Sequence, residues 1–269
     1  MYKKIMIATD TTEQSGSAVV EAINMASKYK GEIFLLHILQ MIVGMDGVGG
    51  ASWASLMQKI EQSAEKYMNV FKGLAAADGV NKCETIVKYG VEFYSGIINE
   101  VKKHSADLLM MGRRGRIEPL KRFIFGSITH KLLKFCPCDL LIVPMASLIQ
   151  WNNILIPFVN GLTDEKALEK AVRLAAENKS KIFILNFSRS SSEIAVIIDG
   201  ANKAGVEMEE LKVSDNNALE IIRKTELEKN IDVIITSNDK SKSLKNYFYG
   251  NLTERIIADS ICGVLVIKS

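Results

Sequence analysis

The 269-residue chain contains no apolar run near the ~18 residues that a membrane span requires. The longest candidate, residues 140–149, is interrupted by Pro144 and Ser147. Proline and glycine, at 4 and 18, are too few for a collagen-like or linker-rich chain. Only three histidines are present, His37, His104 and His130, and their spacing matches no metal site. The four cysteines, Cys83, Cys136, Cys138 and Cys262, include no C-x-x-C pair. Cys136-Pro137-Cys138 is a C-x-C, and a chain of this length needs no disulfide framework, so all four read as reduced structural thiols. Charge of one sign is also lacking: 34 basic and 31 acidic residues leave a net +3, which gives no argument for a nucleic-acid partner. Lys3 and Lys4 are followed by only five uncharged residues before Asp10, too short for the apolar core of an export signal. The expectation is a cytoplasmic protein with neither a membrane nor a nucleic acid as partner. Three nucleotide or hydrolase signatures are missing as well: G-x-x-x-x-G-K-S/T, G-x-G-x-x-G after the first strand, and G-x-S-x-G.

What is present is an ordinary globular composition, 48% hydrophobic and 24% charged, at a length that suggests roughly two domains. The chain repeats itself. Asp107-Leu108-Leu109-Met110-Met111 returns as Asp232-Val233-Ile234-Ile235-Thr236, and Phe125-Gly126-Ser127-Ile128-Thr129 as Tyr249-Gly250-Asn251-Leu252-Thr253. In both copies a cysteine follows the glycine at a distance of 12, and an apolar run follows the cysteine. The starts match too, residues 4–8 with residues 153–157. One domain is therefore written twice, over 1–147 and 150–269, joined by a short stretch around Ser147 to Trp151.

Within each copy, short apolar runs alternate with helical periodicity. Strands are predicted at 4–9, 32–39, 82–89, 108–111 and 140–143, and helices at 15–29, 55–76, 92–104 and 127–135. The second copy is predicted to have strands at 154–158, 181–187, 207–213, 232–236 and 263–267. Strands apolar throughout are buried on both faces, as in a parallel sheet covered by helices. Alternating strands and helices give a doubly wound α/β domain, whose ligand edge lies beyond the carboxyl ends of the strands. That edge holds Asp10, Ile38, Tyr89-Gly90 and Gly112. The first copy also carries an extra segment, 40–55, rich in glycine and methionine. It reads as a surface loop, with a lid over the ligand edge as the sharper alternative.

The most informative stretch runs Met111-Gly112-Arg113-Arg114-Gly115, then ten residues, then Gly126-Ser127 at a helix start. Glycine lets backbone approach a ligand closely, and a helix N-terminus offers free N–H groups to an anion. Arg113, Arg114, Arg116, Lys121 and Arg122 add positive charge suited to phosphate. His37, near the end of the second strand, reads as packed and hydrogen-bonded rather than catalytic. Nothing marks a nucleophile or a general base.

These residues resemble the universal stress protein family. Its pattern is G-x-x-G, about nine residues, then G-S/T, between the fourth strand and the last helix. Gly112-x-x-Gly115 and Gly126-Ser127 match it with one extra intervening residue. Residues 3–10, 35–38 and 138–144 look like its first, second and last strands, although Ala8 stands where the family usually has proline. The resemblance implies Rossmann-like domains of the adenine nucleotide alpha hydrolase-like type, each a five-stranded parallel sheet in the order 3-2-1-4-5. It also implies ATP or AMP as ligand, with or without magnesium. Ala8, Thr9 and Asp10 would meet the ribose or adenine region, Ile38 the adenine through its backbone, and Met111, Gly112, Arg113 and Gly115 the ribose and phosphate path. Gly126, Ser127 and Ile128 would hold phosphates. No catalytic residue is assigned, and any ATP hydrolysis would be slow.

The second copy departs from the pattern. Val159 falls where Asp10 sits, and Ser237 and Lys240 replace Gly112 and Gly115. It is expected to bind nucleotide weakly or not at all and to serve structure instead. In the family, last strands pair edge to edge across a dimer. Here 140–143 and 264–267 could pair within one chain, sealing two sheet edges, and tandem members pair again, so a homodimer is expected. The functional expectation is a nucleotide-binding stress or regulatory protein. The alternatives are an interaction module whose site has decayed, a slow ATPase, and a binder of small metabolites or lipids in an apolar pocket.

Overall fold

A computed structural model of the chain describes residues 1–41, 50–113, 126–158, 163–187, 191–213, 217–238 and 247–268. The first half runs β1 (Lys4–Ala8), α1 (Glu13–Tyr29), β2 (Glu32–Gln40), α2 (Gly50–Ala77), β3 (Cys83–Gly90), α3 (Phe93–His104), β4 (Leu108–Arg113), α4 (Ser127–Phe135) and β5 (Asp139–Pro144). The second half repeats the order as β6 (Asn153–Phe158), α5 (Glu165–Asn178), β7 (Lys181–Asn186), α6 (Ser191–Lys203), β8 (Met208–Lys212), α7 (Ala218–Glu228), β9 (Val233–Asn238), α8 (Tyr247–Asp259) and β10 (Gly263–Lys268). Strands and helices fall where the periodicity placed them, with ends shifted by a few residues. The largest shift is at α2, which opens at Gly50, so residues 50–55 of the anticipated loop are its first turns. Residues 42–49 of that segment lie outside the described residues.

The ten strands of the described residues form one sheet in the order β3-β2-β1-β4-β5-β10-β9-β6-β7-β8. Each half is a parallel, doubly wound unit with its first strand in the middle, as the alternation of apolar runs and helices demands. The halves meet at an antiparallel ladder in which Ile142, Leu141 and Leu140 face Val264, Leu265 and Val266. Among the described strands this ladder leaves β3 and β8 as the outer edges, and it pairs the apolar β5 and β10 with each other.

Strand side chains alternate between two apolar layers. Ile5, Ile7, Leu141 and Val143 join α1, α2, α5 and α6 on one face, and Met6, Leu140 and Ile142 join α3, α4, α7 and α8 on the other. Both layers run through the two halves without a break. Helix ends are set by local chemistry. Lys30 closes α1 in the left-handed region, with its N–H returned to Ala26 and Ser27. Ser105 closes α3 the same way behind Lys102 and Lys103, whose charge complements the helix dipole. Asp164 opens α5, its side chain accepting the Ala167 N–H at 2.9 Å.

The repeat is also visible in single residues. Asp107 accepts the backbone N–H groups of Lys3 and Lys4, at 2.8 and 3.2 Å, and so fixes the start of β1 against β4. Asp232 does the same for Asn152 and Asn153 at the start of β6, at 2.7 and 2.9 Å.

Two buried carboxylates tie the halves to each other. Asp139 accepts the Tyr2 hydroxyl at 2.7 Å and the Lys268 N–H at 2.9 Å, and is bonded to the Lys170 ammonium. Burial, followed by the Asp139 charge, raises the Tyr2 phenol well above its ordinary range. Glu21, in the middle of α1, accepts the Trp151 indole N–H at 2.9 Å and the Ile149 N–H at 3.3 Å, anchoring the connection between the halves.

Candidate functional site

The carboxyl ends of β1, β2 and β4 and the amino end of α4 converge on one edge of the first half, as strand order 3-2-1-4-5 requires. Ala8, Ile38, Met111 and Ile128 all belong to or pack on the apolar layer beneath α3 and α4. Ile38 is buried, its side chain turned toward α3. A methyl group added at Gly96 would lie 3.0 Å from its Cδ1 atom, and one at Gly90 3.4 Å from its Cγ2 atom. That leaves the β2 backbone to face the edge.

The turn from β1 into α1 is held by hydroxyl groups. Thr9, buried, bonds its Oγ1 to the Ser15 hydroxyl at 2.8 Å and accepts the Thr11 N–H at 3.0 Å. Thr11 adopts φ 61°, a left-handed conformation that a β-branched residue rarely takes, and the Thr9 oxygen bonded to its N–H helps to hold it there. Asp10 is exposed, and its Oδ1 accepts both the N–H and the hydroxyl of Thr12, at 3.2 and 2.6 Å, which fixes the carboxylate at the edge. The Thr12 carbonyl takes the Tyr67 hydroxyl of α2 at 3.0 Å, so the long helix braces the same turn. His37 Nδ1 lies 2.8 Å from the Thr9 carbonyl oxygen, which can only accept, so Nδ1 carries the proton. This is the packed, hydrogen-bonded role that its position on β2 suggested.

Sequence reasoning singled out Thr9 and Asp10 but missed Thr11, Thr12, Ser15 and Tyr67 as the frame around them. The signal was available in part. A run of hydroxyl and acidic residues directly after an apolar strand is the composition of turns closed by side chains. Nothing in the spacing identifies Tyr67, which reaches the turn from another element.

At the amino end of α4, Gly126 is the N-cap, with φ −67° and ψ 138° and no side-chain cap. Among the described residues, no side chain caps the first helical N–H groups. A methyl group added at Gly126 would come no nearer than 3.8 Å, to Thr129 Oγ1. This donor set, open backbone N–H groups with the exposed Ser127 hydroxyl, fits an anion such as phosphate. Gly112 lies in β4, paired with Val143. Gly115 and the basic residues from Arg114 to Arg122 lie outside the described residues.

Arg113 is the last residue of β4. Its guanidinium crosses to the second half and donates to the Ile257 carbonyl at 2.6 Å, and more weakly to that of Ala258 at 3.4 Å, near the end of α8. A cation suits that end of a helix. The same charge favours ionisation of Glu226, which burial pushes above its ordinary value. Glu226 in turn takes the Cys262 thiol at 3.0 Å and the Ile261 N–H at 3.1 Å.

The equivalent edge of the second half is built otherwise. Ser237 is buried where Gly112 is half-buried. Helix α8 begins at Tyr247, so Gly250 lies inside the helix rather than at its cap. Val159 and Lys240 are outside the described residues. Among the described residues no three histidine, cysteine or acidic side chains gather as a metal site, and no helix is long and apolar enough to cross a membrane.

The sequence model of the universal stress protein family matches residues 1–144. A universal stress protein of Methanocaldococcus jannaschii is 30% identical over 145 residues, covering 53% of this chain and 82% of the relative. One of Bacillus subtilis is 27% identical over 150 residues, covering 53% of this chain and 99% of the relative. In three dimensions, a universal stress protein from Archaeoglobus fulgidus superimposes with a TM-score of 0.75 at 18% identity, covering 98% of both chains. That likeness extends the Rossmann-like fold to both halves. With more than half its length matched by the family's own model, and with the doubled Rossmann-like fold that its repeat foretold, this chain belongs to the universal stress protein family.

Proposed function

We propose that the first half binds an adenine nucleotide, ATP or AMP, and that the chain acts as a nucleotide-binding regulatory protein. The observation that carries this reading is the difference between the two halves. Where the first half has an uncapped helix start at Gly126 and a fixed carboxylate at Asp10, the second has a buried serine and a helix that runs through its glycine. In this reading Asp10 and the backbone of Ile38 meet the ribose and the base. Ala8, Thr9, Met111, Gly112 and Gly115 line the path, and Gly126, Ser127 and Ile128 hold the phosphates. Arg113, next to Gly112 in β4, stands on the same path while its guanidinium bonds the Ile257 carbonyl.

Isothermal calorimetry with ATP and AMP on the intact chain tests this. Binding is expected for the wild type, with at least a tenfold loss in Gly126→Asp, whose carboxylate would cap α4 itself and repel phosphate. No heat of binding at millimolar nucleotide would refute it.

The domain division at 1–147 and 150–269 belongs to the same reading, with the β5–β10 ladder holding the two domains as one body in solution. So do a cytoplasmic location and a homodimer. Sedimentation equilibrium tests the homodimer, and a monomer mass at micromolar concentration would exclude it.

A further inference from the structure

The sulfur atoms of Cys136 and Cys138 lie 3.5 Å apart, one residue past the end of α4 and one residue before β5. Neither cysteine is used by the nucleotide site, which lies at the other end of α4. We propose that Cys136 and Cys138 form a reversible two-electron redox site that a hydroperoxide closes to a disulfide and a small dithiol reopens.

Three observations support it. First, the sulfurs are already in contact across Pro137, whose ring fixes its own φ, so little chain entropy remains to be lost on closure. Second, the two thiols are not equivalent. The hydrogen bond from Cys138 lowers the Cys136 thiol below its ordinary range, and the same bond, with burial, raises Cys138. Lys268 also favours the Cys136 thiolate, and Asp139 opposes it. The contact thus favours a thiolate on one sulfur and a proton on the other, the division of labour of an attacking and a resolving cysteine. Third, Cys138 is half-buried while Cys136 and Cys262 are buried, so the pair is open on the Cys138 side. Cys83 and Cys262 have no such arrangement. Burial raises both thiols, and Cys262 is bonded to Glu226.

The chemistry balances with a hydroperoxide as the oxidant. The thiolate of the pair attacks the peroxide oxygen, the O–O bond breaks, and a sulfenic acid forms on that sulfur. The departing oxygen takes a proton and leaves as water or an alcohol. The second sulfur then attacks the first, the S–O bond breaks, the S–S bond forms, and a molecule of water leaves with the second thiol's proton. Two thiols lose two electrons in total, and the peroxide gains them. A dithiol reverses the closure by exchange.

The pair is well placed to be felt. The Cys136 N–H caps α4 through the Leu132 carbonyl at 2.8 Å, and Asp139, next after Cys138, holds Tyr2, Lys170 and Lys268.

The test is intact-mass spectrometry of the full chain after stoichiometric hydrogen peroxide, followed by alkylation. The expected product has lost two hydrogen atoms, takes up alkylating agent at two of its four cysteines, and carries an internal bridge in the peptide spanning 136–138. Dithiothreitol should restore all four. Cys136→Ser and Cys138→Ser should each abolish the bridge, while Cys83→Ser should leave it intact. Four alkylated cysteines after peroxide, or a bridge involving Cys83, Cys262 or a second chain, would overturn the proposal. The wild-type measurement decides the matter even if a serine variant fails to fold.

Discussion

Glu21 should make this protein lose stability as the pH rises toward neutrality. Its carboxyl is 1% exposed, and burial pushes it from an ordinary 4.5 up to about 7 despite the two N–H donors that favour its charge. In the unfolded chain the same group titrates near its ordinary value. Below 4.5 it is protonated in both states, and its contribution is fully present. Between 4.5 and about 7 the unfolded chain releases the proton and the folded chain keeps it, so stability falls as pH rises. Each pH unit in that window is worth about 1.4 kcal/mol, and the whole window about 3 kcal/mol. Other carboxylates titrate in the same range, so the measurement is a difference: urea unfolding of the wild type against Glu21→Gln from acid to neutral pH. The glutamine can serve one donor but turns its amide toward the other. That costs about 1–2 kcal/mol at every pH and leaves the slope as the readout. The wild-type advantage should shrink by about 3 kcal/mol between pH 4.5 and 7.5. In a Trp53→Phe background the emission of Trp151 should follow with a midpoint near 7. A pH-independent difference, or one that grows with pH, would refute the reasoning.

The seam offers a second perturbation. Asp139→Ala strands the Tyr2 hydroxyl, the Lys268 N–H and the Lys170 ammonium, and should cost about 2–4 kcal/mol in thermal or urea unfolding. A methyl group at Gly263 would lie 2.6 Å from the buried Ile149 Cδ1 atom, so Gly263→Ala should cost about 1–3 kcal/mol. Adding Ile149→Val removes that carbon and should recover part of the loss, measured as a double-mutant cycle. Gly96→Ala gains up to ~1 kcal/mol of helix propensity while pressing Ile38 from 3.0 Å. Stability should therefore change little, whereas calorimetric nucleotide affinity should fall several-fold if the Ile38 backbone meets the base.

Most of the fold was legible because it rests on local, repeated signals. Apolar runs such as Leu140-Leu141-Ile142-Val143 can only be strands covered on both faces, and α4 was placed at 127–135, where it lies. The repeat revealed the doubled architecture before any contact was known. Helix ends were less legible where no capping residue marks them. Nothing in Gly50 to Ser55 announces that α2 has begun, since glycine and serine read as loop. Asp10, Gly112 and Gly126 could be singled out because residue type alone states what they allow.

What the sequence could not supply is reach. Arg113 belongs by position to a basic, glycine-flanked loop, and charge near glycine argues for phosphate. Which way a long side chain turns depends on what lies opposite, and that is set by β5 meeting β10 in the antiparallel sense. This ladder carries the end of α8 to the carboxyl edge of β4, where its carbonyls need donors and Arg113 supplies them. Glu21 follows the same logic. Nothing near Glu21 in the sequence names its partners, since Trp151 and Ile149 arrive from 130 and 128 residues away to bond it. In both cases the determining partner lies in the other half of the chain or in the connection to it. The second half and the connection to it form the surface against which polar groups of the first half are satisfied, and Asp139, Glu21 and Arg113 are the places where that dependence is strongest.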